Sequence, residues 1–526
     1  MFQKFWNQPW ILSITAGLML ALSFPPIDLV FLQFPAFILM FRLADLAVDL
    51  KDLLWKSWIG FLIWNVLTTY WLTFATIAGG AAAIIANSLL MVIPLIIIRY
   101  LLHSRLATLA IALLAGSVWV SYEFMHHNWD LAWPWLALGN GWANQPDLIQ
   151  YISVTGHLAV SFWVIVTSML FYLWLREPDK RRTAVTGVAV LILFPILSVI
   201  SKASYQPNTD REMEVAVVQP NLDSYLDYGG VGSVDELLTL LFEVSDSVRT
   251  ENTDLLLWPE NALNSLVSRD SRLNSRIEDT LRTWNVELIT GAGLIDYYPP
   301  GMEPRVTRGT IEGHRYNIYN SGLHYDGDSL NEVYKKGKLV PIVERMPFVE
   351  TFKTLDILGL VNWGEVVGYG KGIETNNFEI GQESVPALIC YDSVFSGWVG
   401  DFVRNDATFL SIITNDGWWG NTSGHLQHFA YARLRAIEYR KWVARSANNG
   451  TSGIIAPDGD VKVATDYWTR TAFTYTIHPN NTTTLYARYG NWFNWLMIAG
   501  LAATALMLIR ERRFKERKDV PTLALD

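Results

Sequence analysis

Residues 81–102 read AAAIIANSLLMVIPLIIIRYLL, twenty-two positions with a single charge, Arg99, near the end. A helix needs about 20 apolar residues to cross a hydrocarbon core about 30 Å thick, so this stretch predicts a membrane-crossing helix. Similar blocks lie on either side of it: Trp10–Phe24, Leu29–Ala47 and Leu54–Phe74 before, Leu106–Met125, Ala159–Leu175 and Ala184–Ile200 after. One more, Trp492–Ile509, lies near the other end. The first block is short and precedes Pro25-Pro26, but no small-residue cleavage site follows it, which argues against a signal peptide. About eight spans are therefore expected.

Composition agrees. The chain of 526 residues is 51% hydrophobic and 17% charged, against a usual charged fraction of about 25%. Disordered chains are charge-rich and apolar-poor, so disorder is excluded. A net charge of −9 carries no basic footprint for nucleic acid. Cys390 is the one cysteine, which rules out an internal disulfide framework and a cysteine-rich metal site.

The basic residues set the topology. Within residues 1–201, Lys and Arg occur at Lys4, at Arg42, Lys51 and Lys56, at Arg99 and Arg105, and at Arg176, Lys180, Arg181 and Arg182, beside every second loop. Basic loops stay cytoplasmic, so the N-terminus is expected inside. Seven crossings put residue 202 outside, and the eighth returns to a tail holding Arg510, Arg512, Arg513, Lys515, Arg517 and Lys518. The expected organisation is a membrane domain over 1–204, an external domain over 205–488, and a last span with a basic cytoplasmic tail over 489–526. The loop 126–158 falls on the outer side with Trp129, Trp133 and Trp135, as an interfacial aromatic belt would. Glu123, near the end of the fifth block, is a candidate because an intramembrane carboxyl is costly without a purpose.

The middle of the chain alternates strand and helix patterns. Met213–Gln219, Asp254–Trp258, Glu287–Thr290, Tyr316–Tyr325, Asn331–Tyr334, Val385–Cys390, Thr408–Thr414, Gly453–Pro457, Lys462–Ala464 and Thr471–Ile477 read as strands. Val234–Thr250, Ser271–Trp284 and Phe429–Lys441 read as helices. Such alternation predicts a layered α/β domain.

Three polar residues stand at predicted strand ends: Glu260, Lys336 and Cys390. They are seventy-six and fifty-four residues apart, so only the fold can unite them. A thiol becomes a nucleophile when a base takes its proton, and a carboxylate can serve. An ammonium can stabilise the oxyanion that follows attack on a carbonyl. Together they suffice for acyl transfer.

The flanking residues strengthen this. Leu257-Trp-Pro-Glu260-Asn-Ala, Tyr334-Lys-Lys336-Gly-Lys-Leu-Val-Pro341-Ile-Val-Glu344 and Ile389-Cys390-Tyr391-Asp392 resemble the three signatures of the nitrilase (carbon–nitrogen hydrolase) superfamily. Within it the chain resembles the membrane-embedded apolipoprotein N-acyltransferase family. That likeness extends through Pro134-Trp135-Leu136, Tyr316–Ser321, Thr414–Gly420, Gln427-His-Phe429, Ala432–Glu438, Arg445–Gly450 and Tyr486–Trp492. It implies a nitrilase-like αββα sandwich. Glu260 would be the general base, Cys390 the nucleophile, and Lys336 the oxyanion holder, preferred to Lys335 because it lies five residues before Pro341. It further implies supporting roles for Glu344, Tyr391 and Asp392, the backbone N–H of Tyr391 joining Lys336 at the oxyanion.

The chain departs from the family in places. Pro341-Ile-Val-Glu344 stands for Pro-Phe-Gly-Glu, and Cys390-Tyr-Asp392 for Cys-Tyr-Glu. Tyr228 aligns near a tryptophan of the family, making it a substrate-binding candidate beside Trp418 and Trp419. His425 and His428 have metal-pair spacing, but no third ligand is apparent, and the resemblance implies neither a metal nor a cofactor.

The expected reaction passes a fatty acyl chain from a phospholipid to Cys390, then to the α-amine of a lipoprotein's diacylglyceryl-cysteine. Phospholipid donors and diacylated lipoproteins are the expected partners, the chain itself a monomer in a bacterial inner membrane, its catalytic domain periplasmic. Met346–Phe348, Ile357–Trp363 and Trp418-Trp419 are candidate lid or chain-binding elements. A membrane-tethered amidase and a transporter or inactive scaffold are the rival readings.

Overall fold

A computed structural model of the chain describes residues 6–177, 179–263, 271–355 and 367–518. The first part is helical: α1 (Pro9–Leu22), α2 (Gln33–Leu46), α3 (Leu50–Thr69), α4 (Ile77–Leu90), α5 (Val92–Leu102), α6 (Thr108–His126), α7 (Leu158–Arg176) and α8 (Arg181–Ser204). Among the described residues, five stretches are long and apolar enough to cross a bilayer: Ile77–Leu102, Thr108–His126, Leu158–Arg176, Arg181–Ser204 and Trp492–Glu511. At 1.5 Å per residue, the 14-residue helices α1 and α2 reach only about 21 Å each. Helix α3 has 20 residues but carries Lys51, Asp52 and Lys56 in its first two turns. Many apolar side chains of α8, among them Val185, Ile192, Ile196, Val199 and Ile200, point outward and exposed, as a lipid-facing helix requires. Gly17 of α1 lies so close to α3 that a Cβ there would stand 2.3 Å from the Gly60 carbonyl oxygen.

Residues 213–477 form two facing sheets. The first runs β14 (Thr471–Ile477), β1 (Met213–Gln219), β2 (Thr253–Leu257), β3 (Glu287–Tyr298), β5 (His314–Tyr325), β4 (Gly309–Ile311), with β6 (Leu330–Lys335) also on β5. The second runs β13 (Val461–Ala464), β12 (Gly453–Ile455), β11 (Val443–Ala447), β10 (Leu410–Thr414), β9 (Ala387–Ile389). A two-stranded pair joins β7 (Phe378–Ile380) to β8 (Glu383–Val385). Alternation along the strands sorts the layers. Ala216, Val218 and Leu256 pack with Leu237, Leu241 and Ile277 of α9 (Val234–Asp246) and α10 (Ser271–Trp284). Val215, Val217, Leu255 and Leu257 face the core shared with Ile412, Ile413 and Ala444 of the second sheet. α11 (Ser396–Arg404) and α12 (Ser423–Tyr439) join that second core. The order is helix, sheet, sheet, helix, and α13 (Trp492–Lys518) leads back to the helical part, packing on α6.

The strand expected over Val385–Cys390 is divided. Pro386 lacks an N–H to extend a ladder, and Cys390 opens a turn, Cys390–Val394. β3 does not stop at Gly291 but runs on to Tyr298. Gly291 is needed for clearance: a Cβ there would lie 2.5 Å from the Cα of Glu260.

The α/β domain is keyed into the helical part. Gln427 of α12 accepts the indole N–H of Trp135 at 2.7 Å and of Trp71 at 3.3 Å, and its amide donates to the carbonyls of Pro25 and Thr68. Glu438 accepts the His157 backbone N–H at 2.8 Å. Glu123 is buried in α6, accepting from the Trp119 indole at 2.8 Å and the Leu138 N–H at 3.0 Å, which ties the helix to the loop 126–158.

Candidate active site

Glu260 follows β2, Lys336 follows β6 and Cys390 follows β9. All three line one cavity of about 450 Å³. The Lys336 ammonium donates to Glu260 Oε1 at 3.1 Å and to Glu344 Oε1 at 2.8 Å. Glu260 also accepts from the Asn320 amide at 2.7 Å and the Asn415 backbone N–H at 2.9 Å. Glu344 is held in turn by the Val340 N–H at 2.7 Å. Glu260 and Lys336 are 5% and 1% exposed, so their charges act through little water.

Burial pushes the Glu260 carboxyl up, Lys336 draws it back, and the Glu344 charge raises it again. Burial opposes the Lys336 charge, but Glu260 and Glu344 outweigh it and hold the ammonium well above its ordinary range. Burial and the Glu260 charge keep Cys390 a neutral thiol at rest, against the pull of Lys336. A neutral thiol sharing a cavity with a carboxyl of raised pKa is an arrangement in which a base can act at the moment of attack.

Cys390 sits at φ +46°, a left-handed conformation costing about 1–3 kcal/mol for a side-chain-bearing residue. Its carbonyl is held by the Ser393 hydroxyl at 2.7 Å and by His428 Nε2 at 3.2 Å. His428 Nδ1 lies 2.9 Å from Asp416, whose other oxygen accepts from Arg445 at 2.7 Å. Although burial works against it, Arg445 and His428 hold the Asp416 carboxyl well below the usual range. His425 instead meets Asn421, so the two histidines have separate partners. Among the described residues no cluster of metal-ligating side chains occurs.

Asp392 does not line the cavity. It is buried beneath the turn, accepting from the Lys338 and Ile389 N–H groups and the Tyr334 hydroxyl at 2.7, 3.2 and 2.8 Å. Tyr391 does line it, and its hydroxyl donates to the Ala132 carbonyl at 2.9 Å. Trp418 and Trp419 stand on the wall, Trp419 packed 4.6 Å from Trp71. Tyr228 lies exposed on the turn Asp227–Gly230 and does not line the cavity. Tyr225 is the aromatic of that loop that meets Trp418, ring to ring at 5.2 Å. Phe348 donates its N–H to Asp130 of the loop 126–158 at 2.8 Å, and Met346 packs with Val306, Val349 and Val367. Ile357–Trp363 lies outside the described residues.

The remaining walls come from the helical part. Gly79, Ala82, Ala83 and Ala86 of α4 present a small-residue face, with Trp71, Trp133 and His126 beside it. The sequence reading missed Asn320, Asn415 and this face of α4. The two asparagines sit inside quoted motifs, but nothing local marks them as carboxylate partners.

Residues 16–170 match the family described as apolipoprotein N-acyltransferase N-terminal domain, and residues 214–487 match carbon-nitrogen hydrolase. The chain belongs to the apolipoprotein N-acyltransferase family. It is 31% identical over 90% of its length to the apolipoprotein N-acyltransferase of Chlorobaculum tepidum, covering 93% of that protein. It is 23% identical over 96% of its length to that of Geobacter metallireducens, covering 96% of it. Among solved structures, an amidase from Nesterenkonia sp. overlays 53% of this chain and 94% of its own, with 15% identity and a TM-score of 0.35. Family and outward-facing apolar helices together make this a bacterial membrane protein.

Proposed function

We propose that this protein moves a fatty acyl chain from a membrane phospholipid to the α-amine of a lipoprotein's diacylglyceryl-cysteine, by way of a thioester on Cys390. The observation that carries the reading is the shared cavity: Glu260, Lys336 and Cys390 on one side, the apolar face of α4 on the other. Water-soluble hydrolysis needs no such wall, whereas an acyl chain buried there avoids about 0.8 kcal/mol of exposure per CH₂.

Glu260 takes the thiol proton as the sulfur attacks the ester carbonyl. Lys336 and the Tyr391 backbone N–H hold the oxyanion. The C–O bond breaks, the lysophospholipid leaves as an alcohol with the proton from Glu260, and the thioester remains. The amine then attacks the thioester, Glu260 accepts its proton, and the thiol is restored as the amide forms. Glu344 acts by keeping Lys336 placed.

In this reading residues 1–204 cross the membrane seven times, residues 205–488 are periplasmic, and residues 489–526 supply the eighth crossing and the basic cytoplasmic tail. The short helices α1 and α2 then cross with the help of their flanking turns, and the protein works as a monomer. Incubating the purified protein with labelled phospholipid and a diacylated lipopeptide tests the proposal. Labelled lipopeptide is expected with wild type and not with Cys390→Ala. Equal product from both would overturn it.

A further inference from the structure

Next to the catalytic cavity lies a second recess of about 350 Å³. The two share Ala132 and Pro341 as wall residues. Three cations line the recess: Lys338, Arg345 and Lys371. Arg345 is already occupied, paired with Glu350 at 2.5 Å and donating to the Tyr369 carbonyl at 2.7 Å. Asp130, also on the wall, is taken by the Phe348 N–H. Lys338 and Lys371 differ. Among the described residues no carboxylate lies within ion-pair distance of either ammonium.

Both lysines are held in place. Lys338 is anchored through its backbone N–H to Asp392, and its ammonium lies 5.1 Å from the ring centre of Phe395 and 5.2 Å from that of Trp398. Lys371 stands between Gly370, bonded to the Ile318 carbonyl, and Gly372, bonded to the Lys336 carbonyl. Burial, reinforced by the nearby Lys371 charge, pushes the Lys338 ammonium down, against the opposing pull of Asp392 and Asp401. Two cations in one half-buried recess, neither in direct contact with a carboxylate, leave room for an anion from outside.

We propose that this Lys338–Lys371 recess receives the phosphate of the phospholipid acyl donor while the donor's ester carbonyl lies at Cys390. The inference rests on the function proposed above and adds the site that tells donor from acceptor. Lys338 is two residues beyond Lys336, so their backbones are at most about 7 Å apart. A glycerol unit links an ester carbonyl to a phosphate over a comparable span. The acceptor, a diacylglyceryl thioether of cysteine, carries the same kind of chains and no phosphate. A phosphate site would favour the donor in the first half-reaction, and leave the recess empty when the acceptor arrives.

The test uses the full chain in neutral detergent micelles, following acylation of Cys390 by mass spectrometry. Dioctanoylphosphatidylglycerol is compared with dioctanoylglycerol, which has the same ester chains and no phosphate. Wild type is expected to show a KM at least about ten-fold lower for the phospholipid, as a charge-assisted contact implies. Lys338→Ala and the exposed Lys371→Ala should each bring the ratio of the two KM values toward one, and Lys338→Arg should keep it. Inorganic phosphate should raise the KM for phospholipid in wild type and not in the alanine variants.

An unaltered ratio in both alanine variants would overturn the inference while leaving the acyl-transfer reading intact. Competition by inorganic phosphate with an unaltered ratio would assign the recess to free phosphate and overturn it too. Absence of any acylation of wild-type Cys390 from either donor would instead sink the acyl-transfer reading itself.

Discussion

The backbone N–H of Asn415 reaches the Glu260 carboxylate across 2.9 Å, from the end of a strand in the opposite sheet. The proposed base is thereby held from both layers of the sandwich: Asn320 grips one oxygen from the first sheet, Asn415 the other from the second. A hydrogen bond to the carboxylate favours its ionised form, against the burial that raises its pKa.

Glu260→Gln keeps most of these contacts and removes the base. Formation of the Cys390 thioester is expected to slow by about 10²–10⁴-fold, read as the rate of acylation by mass spectrometry. A loss under three-fold would remove Glu260 from the role of proton acceptor.

The pH dependence has a definite sign. The base must be ionised, and burial raises its pKa, so acylation should fall on the acid side at a pH above the ordinary glutamate range. The Glu344 charge is one of the causes of that elevation. Glu344→Gln should therefore move the acid limb to lower pH, besides lowering the rate through a less firmly held Lys336. A pH–rate profile of kcat/KM checks both, and a shift to higher pH would contradict the assignment.

Most strands of the α/β domain could be read from the chain. Met213–Gln219, Ser271–Trp284 and Thr471–Ile477 fold over the very residues that their periodicity marks. Val443–Ala447 escaped because Arg445 and Ser446 interrupt its apolar pattern, and Arg445 is tolerable in a buried strand only because Asp416 meets it. The same limit hid Asn320 and Asn415, whose partner lies 60 and 155 positions away in the chain. Local signals place strands and turns, whereas these contacts exist only once strands distant in the chain have come together. The exposed turn at Tyr228 was hidden for a related reason. Alignment transfers a residue type but not the direction in which its loop folds.

That Asp416–Arg445 pair is fully buried. Asp416→Ala would leave the guanidinium without its counter-charge, a loss of about 3–5 kcal/mol, and would also loosen His428 beneath the Cys390 turn. A marked fall in the thermal unfolding midpoint is expected. The depressed pKa of Asp416 gives wild type a stability contribution that is complete above pH about 4 and disappears as the pH drops toward the depressed value. The variant should lack that dependence.

The small-residue face of α4 allows a direct test of chain accommodation. Ala86→Phe adds a ring to the cavity wall. Transfer from long-chain phospholipids should fall more than transfer from short-chain ones, measured side by side with the same headgroup. Equal loss for all lengths would mean that the chain lies elsewhere.

The cavity is assembled from two sources, Glu260, Lys336 and Cys390 from the sandwich and much of its lining from Trp71, Trp133 and α4. Gln427, with two indoles and two main-chain carbonyls around a single amide, fastens those sources together. A fragment cut at the sandwich boundaries would thus inherit Cys390, the proposed nucleophile, without the room around it, its severed rim bared to solvent.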